Sequence, residues 1–187
     1  MRELSLNVLD IAQNSISADA PLIEIEVLEN TEKKELLIGI YDNGKGMTPE
    51  QVENVKDPFF TTRTTRKVGM GIPLFKLAAE QTGGHLNIES EVGKGTRVQA
   101  VFKTDSIDFT PIGDMESTVL MLITMNTDRE FIYRFGIDER IFTLSTQELK
   151  AILGDVPLSE PSVSMWIKEY LEEQTQNIRG GMLNEIT

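Results

Sequence analysis

The order of periodic segments in residues 1–104 constrains the fold of this chain more than any other feature. Residues 3–18 fit a helix, unbroken by Pro or Gly. In residues 22–28, Ile23, Ile25 and Val27 alternate with Glu24 and Glu26, which is a strand with one wet face. Residues 36–41 form a second apolar strand, closed by the glycine-rich turn 42–47. Thr48-Pro49-Glu50-Gln51 opens a short helix with a capping residue and Pro at its first position. Residues 57–68 read as irregular. A helix follows from Met70 to Gln81 and stops at Gly83-Gly84. Residues 85–91 and 96–103 read as strands joined by the turn Val92-Gly93-Lys94-Gly95. Helix, two strands, helix, loop, helix, two strands is not the alternation of a doubly wound parallel sheet. It predicts an α+β fold, a two-layer α/β sandwich with helices on one face of a mixed sheet.

Charge divides the chain. Residues 1–104 hold 15 acids and 12 bases, whereas residues 105–187 hold 15 acids and 6 bases. At the start of the second region, 105–117 contains Pro111 and Gly113 among acids, which reads as a linker. The expected organisation is one domain at 1–104, a linker at 105–117 and a small acidic α+β region at 118–187. In that last region 118–125, 131–135 and 140–144 look like strands. Residues 146–153 and 161–173 look like helices, and the chain is expected to fray from Gln174.

Composition excludes several chemistries. There is no cysteine and only one histidine, so disulfides, thiolate nucleophiles and multi-histidine metal sites are out. A net charge of −12 argues against a nucleic-acid or anionic-membrane surface. No apolar run approaches the ~18 residues of a membrane helix, and the N-terminus lacks a signal-peptide core. The expectation is a soluble, cytoplasmic protein that works with carboxylates, amides, glycines and arginines.

Four segments could supply that chemistry. Glu3, Asn7, Asp10, Asn14 and Ser17 recur every three or four residues and form one polar stripe on a largely apolar helix. The stripe either faces solvent or lines a pocket in which Asp10 and Asn14 offer oxygens to a hard cation such as Mg²⁺. Asp42-Asn43-Gly44-Lys45-Gly46-Met47 follows a strand directly, as a plain tight turn or as a close backbone approach to a ligand. In Asp57-Pro58-Phe59-Phe60-Thr61-Thr62-Arg63, followed by Arg66 and Lys67, three cations fall close together in an acidic chain, and guanidinium forks suit phosphate oxygens. Gly69-Met70-Gly71-Ile72-Pro73 opens a helix whose free N–H groups make an anion site. The Walker pattern and the dinucleotide GxGxxG pattern both fail everywhere in the chain.

Each segment alone is weak, but their order is specific. Polar-striped helix, strand–DxGxG, PFFTT, GxG–helix and GGxxxxxSxxGxGT together strongly resemble the GHKL ATPase superfamily, the Bergerat fold of histidine kinases, gyrase, mismatch-repair ATPases and a heat-shock chaperone. The resemblance covers residues 3–103 and is closest to histidine-kinase catalytic domains. It implies an ATP and Mg²⁺ site in which Asn14 ligates the metal and Asp42 accepts from the adenine amino group. Gly44 and Gly46 would clear space for the base, and Thr96 would support the adenine contact. Gly69 and Gly71 would meet the phosphates, with Met47 and Ile72 beside these glycines in the cofactor-binding set. Residues 57–67 would be the ATP lid, with Arg63 reaching the terminal phosphate. Asp10 would be the catalytic residue, although kinases of this superfamily often carry Asn there and its hydrolysing members carry Glu. Ser17 and Ala18 also replace the lysine and aromatic common in histidine kinases.

The kinase-like region starts at Met1 with no phosphoacceptor helix before it, and His85 reads as a strand residue, not an acceptor. The expected function is therefore a stand-alone kinase acting in trans on a protein partner. The alternative is an ATP-gated, slowly hydrolysing interaction module resembling an anti-sigma-type regulator. A degenerate remnant is a third reading, against which the near-complete motif set argues. The oligomeric state is left open, with a homodimer among the options.

Overall fold

The computed structural model describes residues 3–59 and 70–186, the last six by backbone alone. In chain order the elements are α1 (Leu4–Ser17), β1 (Leu22–Asn30), β2 (Glu35–Asp42), α2 (Pro49–Val55), α3 (Gly71–Gln81), β3 (His85–Glu91) and β4 (Gly95–Lys103), then α4 (Met115–Met125), β5 (Glu130–Ile137), β6 (Arg140–Ser145), α5 (Thr146–Leu153) and α6 (Pro161–Ile186). The six strands form one mixed sheet in the order β3-β4-β2-β1-β5-β6. All neighbours are antiparallel except β1 and β5, which run parallel with Leu22 opposite Glu130.

One face of the sheet is buried and the other is bare. Ile23, Ile25 and Val27 of β1, Ile38 and Ile40 of β2, Val98, Ala100 and Phe102 of β4, and Phe131, Tyr133 and Phe135 of β5 all belong to the core. Their alternation puts them on a single face, where they meet Leu4, Val8 and Ile11 of α1, Phe75 of α3, Leu122 of α4 and Ile167 of α6. α1 packs against both α3 and α4, and α4 packs against α6. This is the two-layer α/β sandwich that the segment order predicts.

The ends of the elements follow local chemistry. Thr48 and Gln51 form a reciprocal capping box at the start of α2. Gly83, at φ +91°, lies just past the end of α3, where the chain reverses into β3.

The acidic region differs from its expected layout. Residues 118–125, which look like a strand in the sequence, include the β-branched Thr118, Val119, Ile123 and Thr124. They form α4 instead, capped by Asp114, whose Oδ1 accepts from the Ser117 N–H at 3.0 Å. Tertiary context overrides propensity here. β5 is parallel to β1, and a helix on the covered face bridges from the end of β4 to its start. α6 also continues past Gln174 as far as Ile186, because Thr175 and Ile178 extend the buried row of Val163, Ile167 and Leu171. Of the stretch 105–117, residues 115–117 belong to α4, and Phe109 and Ile112 pack on the core. The carbonyls of Pro111 and Ile112 accept from the N–H groups of Leu4 and Ser5, both at 2.9 Å. This strap therefore caps α1, whose own N-cap residue Glu3 makes no capping bond to it. Strands from both sides of residue 104 share the sheet.

Candidate functional site

The polar stripe of α1 is split by its packing. Asp10 and Ser17 are exposed, whereas Glu3, Asn7 and Asn14 are half-buried; beside the stripe, Ser15 is buried at 3% exposure. α3 begins directly against this helix. A Cβ placed on Gly71 would lie 3.1 Å from the Asp10 Cβ, so the absence of a side chain brings the α3 N-terminus onto the Asp10 turn. Ile72, the next residue, is buried and belongs to the core beneath this end of α3.

A second set of groups gathers at the strand ends. Asp42 follows Ile38 and Ile40 in alternation, so its side chain lies on the helix-covered face. Its cross-strand partner is Thr96, and Thr96 in turn stands opposite Ser90. Both carboxylate oxygens of Asp42 are engaged. Oδ2 accepts from the Ser15 hydroxyl at 2.6 Å and Oδ1 from the Gly44 N–H at 2.9 Å. An ionised carboxylate offers about four lone-pair positions, so acceptor capacity is left over.

The glycine-rich loop is fixed from two sides. The Lys45 N–H donates to the Ala18 carbonyl at 3.0 Å, and the Gly93 N–H donates to the Lys45 carbonyl at 2.8 Å. Gly46 has φ +73°, and a Cβ there would overlap the Glu91 carbonyl. The Met47 N–H donates to Ser90 Oγ at 2.8 Å, and Ser90 Oγ lies 3.0 Å from the Gly95 carbonyl and 2.8 Å from Thr96 Oγ1. Ser90 thus ties the loop to the threonine opposite Asp42.

The structure joins Asp42, Gly44, Met47 and Thr96 in one hydrogen-bonded unit, packs Gly46 against the Glu91 carbonyl and sets Asp10 against Gly71. Asn14 is next in sequence to Ser15, which bonds Asp42. Arg63 and Gly69 lie outside the described residues. Three residues that the sequence reading did not single out complete the site: Ser15, Ser90 and Gly95. Ser90 stands inside the GGxxxxxSxxGxGT spacing, and Ser15 is a hydroxyl on the apolar side of α1. Those were the available signals. Gly95 has φ +124°, and a Cβ on it would overlap the Asp42 carbonyl.

A carboxylate with spare acceptor capacity, two glycine-lined backbone segments and a helix N-terminus beside an acid suit a nucleotide. A family model described as "Histidine kinase-, DNA gyrase B-, and HSP90-like ATPase" matches residues 1–106. The chain belongs to this ATPase family. It is 34% identical over 101 residues to the sensor protein SrrB of Staphylococcus aureus, a match covering 51% of this chain and 17% of that protein. Among solved structures it is similar in fold to the N-terminal domain of a DNA repair protein, with a TM-score of 0.55 at 17% identity. That likeness covers 78% of this chain and 53% of the other, so it runs beyond the residues matched by the family model. The chain carries an ATP-binding domain like those of histidine kinases. Among the described residues no helix is long and apolar enough to cross a membrane.

Proposed function

We propose that this chain is an Mg·ATP-dependent kinase that transfers the γ-phosphate to a side chain of another protein in the cytoplasm. The observation that carries the reading is the position of His85, the sole histidine in the sequence. His85 opens β3 opposite Val101, and alternation puts it on the bare face of the sheet, away from Asp42 and Thr96. Five residue steps along the strand lead from it to Ser90, roughly 17 Å at ~3.3 Å per residue. Phosphoryl transfer needs near-attack separations of about 3–3.5 Å. An acceptor on a partner fits this layout better than His85 does.

The site residues divide the work. Asp42, an acceptor when ionised, would take the exocyclic amino group of adenine and meet guanine's carbonyl unfavourably. Thr96, held by Ser90, would support that contact. The N-terminus of α3 would receive phosphate oxygens, with Gly71 allowing a close approach. Among the described residues no group of three or more His, Cys, Asp or Glu is arranged to hold a metal ion. A magnesium ion would thus take one amide oxygen, from Asn14, and complete its shell with phosphate oxygens and water, which suits its chemistry. Asp10, exposed beside the α3 start, would orient the acceptor and receive its proton as the bond from the γ-phosphorus to ADP breaks. Arg63 would reach the terminal phosphate from the lid.

Incubation with γ-labelled ATP tests the reading. The isolated chain should take up no acid-labile label, and a protein retained from lysate in the presence of an ATP analogue should become labelled when ATP is added. Stoichiometric label on the chain itself, lost in His85→Ala, would contradict transfer in trans.

A second reading, a nucleotide-gated interaction module, is favoured by the bonds that Leu4 and Ser5 donate to the carbonyls of Pro111 and Ile112, which tie the strap leading to the acidic region to the N-terminus of α1. Stable label on a partner separates the two readings.

A further inference from the structure

The turn between α1 and β1 is held from outside the family-matched residues. Asp19 sits there at φ +57°, a left-handed conformation that aspartate tolerates better than most non-glycine residues. Ala20 is fully buried, so its carbonyl needs a partner. That partner is Arg129, in the connection from α4 to β5, whose Nη1 donates to the Ala20 carbonyl at 2.7 Å. The Glu130 N–H donates to the Pro21 carbonyl at 2.8 Å, and Arg129 Nη2 lies 3.9 Å from Asp19 Oδ1. Arg129 is itself only 16% exposed, and Lys150 of α5 fixes its connection by donating to the carbonyls of Thr127 at 2.8 Å and Arg129 at 3.3 Å.

The same turn is where the glycine-rich loop is anchored. The Ala18 carbonyl accepts from Lys45, and a Cβ on Gly44 would lie 2.8 Å from that carbonyl oxygen. The Leu22 N–H donates to Asn43 Oδ1 at 2.9 Å, and the Asn43 N–H to the Leu22 carbonyl at 3.4 Å. Gly44 in turn donates to Asp42. Hydrogen bonds joined by short stretches of backbone therefore lead from Arg129, through the turn 18–22, to the carboxylate assigned to the base.

We infer that Arg129 is a positioning residue for the adenine pocket, through which the acidic region sets nucleotide affinity and base selectivity. This rests on the reading that Asp42 meets the adenine amino group. Arg129 touches no nucleotide atom in this scheme. It fixes the height of the turn, and the turn fixes the glycine loop on which Asp42 is oriented.

Binding of ATP and of purine riboside triphosphate, which lacks the amino group, separates this role from a general structural one. Both are measured by calorimetry on the full chain, wild type and Arg129→Ala, with Arg129→Lys as the conservative variant and Asp42→Asn alongside. ATP affinity should fall about fivefold or more in Arg129→Ala, the lower end of coupling between sites. Affinity for the amino-less analogue should stay nearly constant, and Arg129→Lys, which keeps a cationic donor, should recover most of the loss. If Arg129→Ala does not fold, Arg129→Gln, which keeps bulk without charge, gives the same comparison. Equal loss of both nucleotides, or no loss of either, would overturn the role of Arg129. Loss of ATP preference in Asp42→Asn but not in Arg129→Ala would overturn this inference alone. Unchanged preference in Asp42→Asn would remove the base reading and this inference together.

Discussion

Asp42 and Tyr41 are neighbours in β2, yet they belong to polar clusters of opposite character. On the bare face, the Tyr41 hydroxyl donates to Glu26 at 2.5 Å and accepts from Gln99 at 2.7 Å. The Arg97 guanidinium lies 4.1 Å from the centre of the Tyr41 ring, and Arg134 pairs with Glu24 at 3.1 Å. These side chains satisfy one another across four strands. On the covered face, Asp42 is bonded to a helix hydroxyl and a loop N–H, and Ser90 to a loop N–H. Their partners belong to segments that the ligand itself would touch. Side chain meeting side chain on an open sheet is how a solvated face settles its charges. Side chains bonded to glycine-rich backbone and to a helix, with acceptor capacity to spare, mark a place prepared for something else.

The sharpest way to break this contrast is at Asp10. Asp10→Ala should leave nucleotide binding nearly intact and lower phosphoryl transfer or ATP turnover by about 10²–10⁴-fold, the usual contribution of a general base. A single-turnover assay with labelled ATP reads this directly, and turnover at the wild-type rate would deny Asp10 its role. Next in size, Asn14→Ala should weaken ATP binding about 10- to 100-fold in the presence of magnesium, by analogy with the cost of disturbing a metal site. In EDTA the variant and wild type should bind alike. Equal loss with and without the metal would make Asn14 a packing residue.

How much of this was legible in the sequence depends on the range of the interaction. The turn at Asp42 and the capping box of α2 could be read because each is a local signal, one a strand followed by DxGxG and the other four residues long. The core of the first half was legible for the same reason, since Ile23, Ile25 and Val27 declare their face by alternation. Ser15 was not legible, because its meaning comes from an aspartate 27 positions away. Arg129 was less so, with its acceptor 109 positions off. Residues 118–125 look like a strand because the run is apolar and partly β-branched, and nothing in that impression registers the Asp114 cap. The decisive fact, that β5 lies parallel to β1, exists only in the folded sheet.

Ser15→Ala gives a smaller effect that sharpens the comparison. It removes a hydroxyl donated to a carboxylate and should cost about 1–2 kcal/mol of ATP binding, with little change in the binding of a nucleotide without the amino group. Calorimetry with both ligands checks it, and equal changes would place Ser15 in general packing. The smallest effect is expected on the other face. Burial and the hydrogen bond donated to Glu26 push the Tyr41 phenol up to about 12. Because the folded state holds the proton more tightly, this contribution is complete below pH ~10, the unfolded value, and is lost as pH rises through about 12. Tyr41→Phe should shrink the alkaline loss of stability in that window, as followed by denaturant titration, and leave ATP affinity unchanged. A nucleotide defect in Tyr41→Phe would mean that the two faces are not independent.

If the covered strand ends, organised around Asp42, hold adenine, the base preference must depend on that carboxylate. Calorimetric titration of ATP and GTP into wild type and Asp42→Asn measures this. Wild type should bind ATP well and GTP poorly, and Asp42→Asn should lose about 1.5–3 kcal/mol toward ATP, the worth of a hydrogen bond to a charged group. Equal ATP affinity in the two proteins would contradict adenine binding at Asp42.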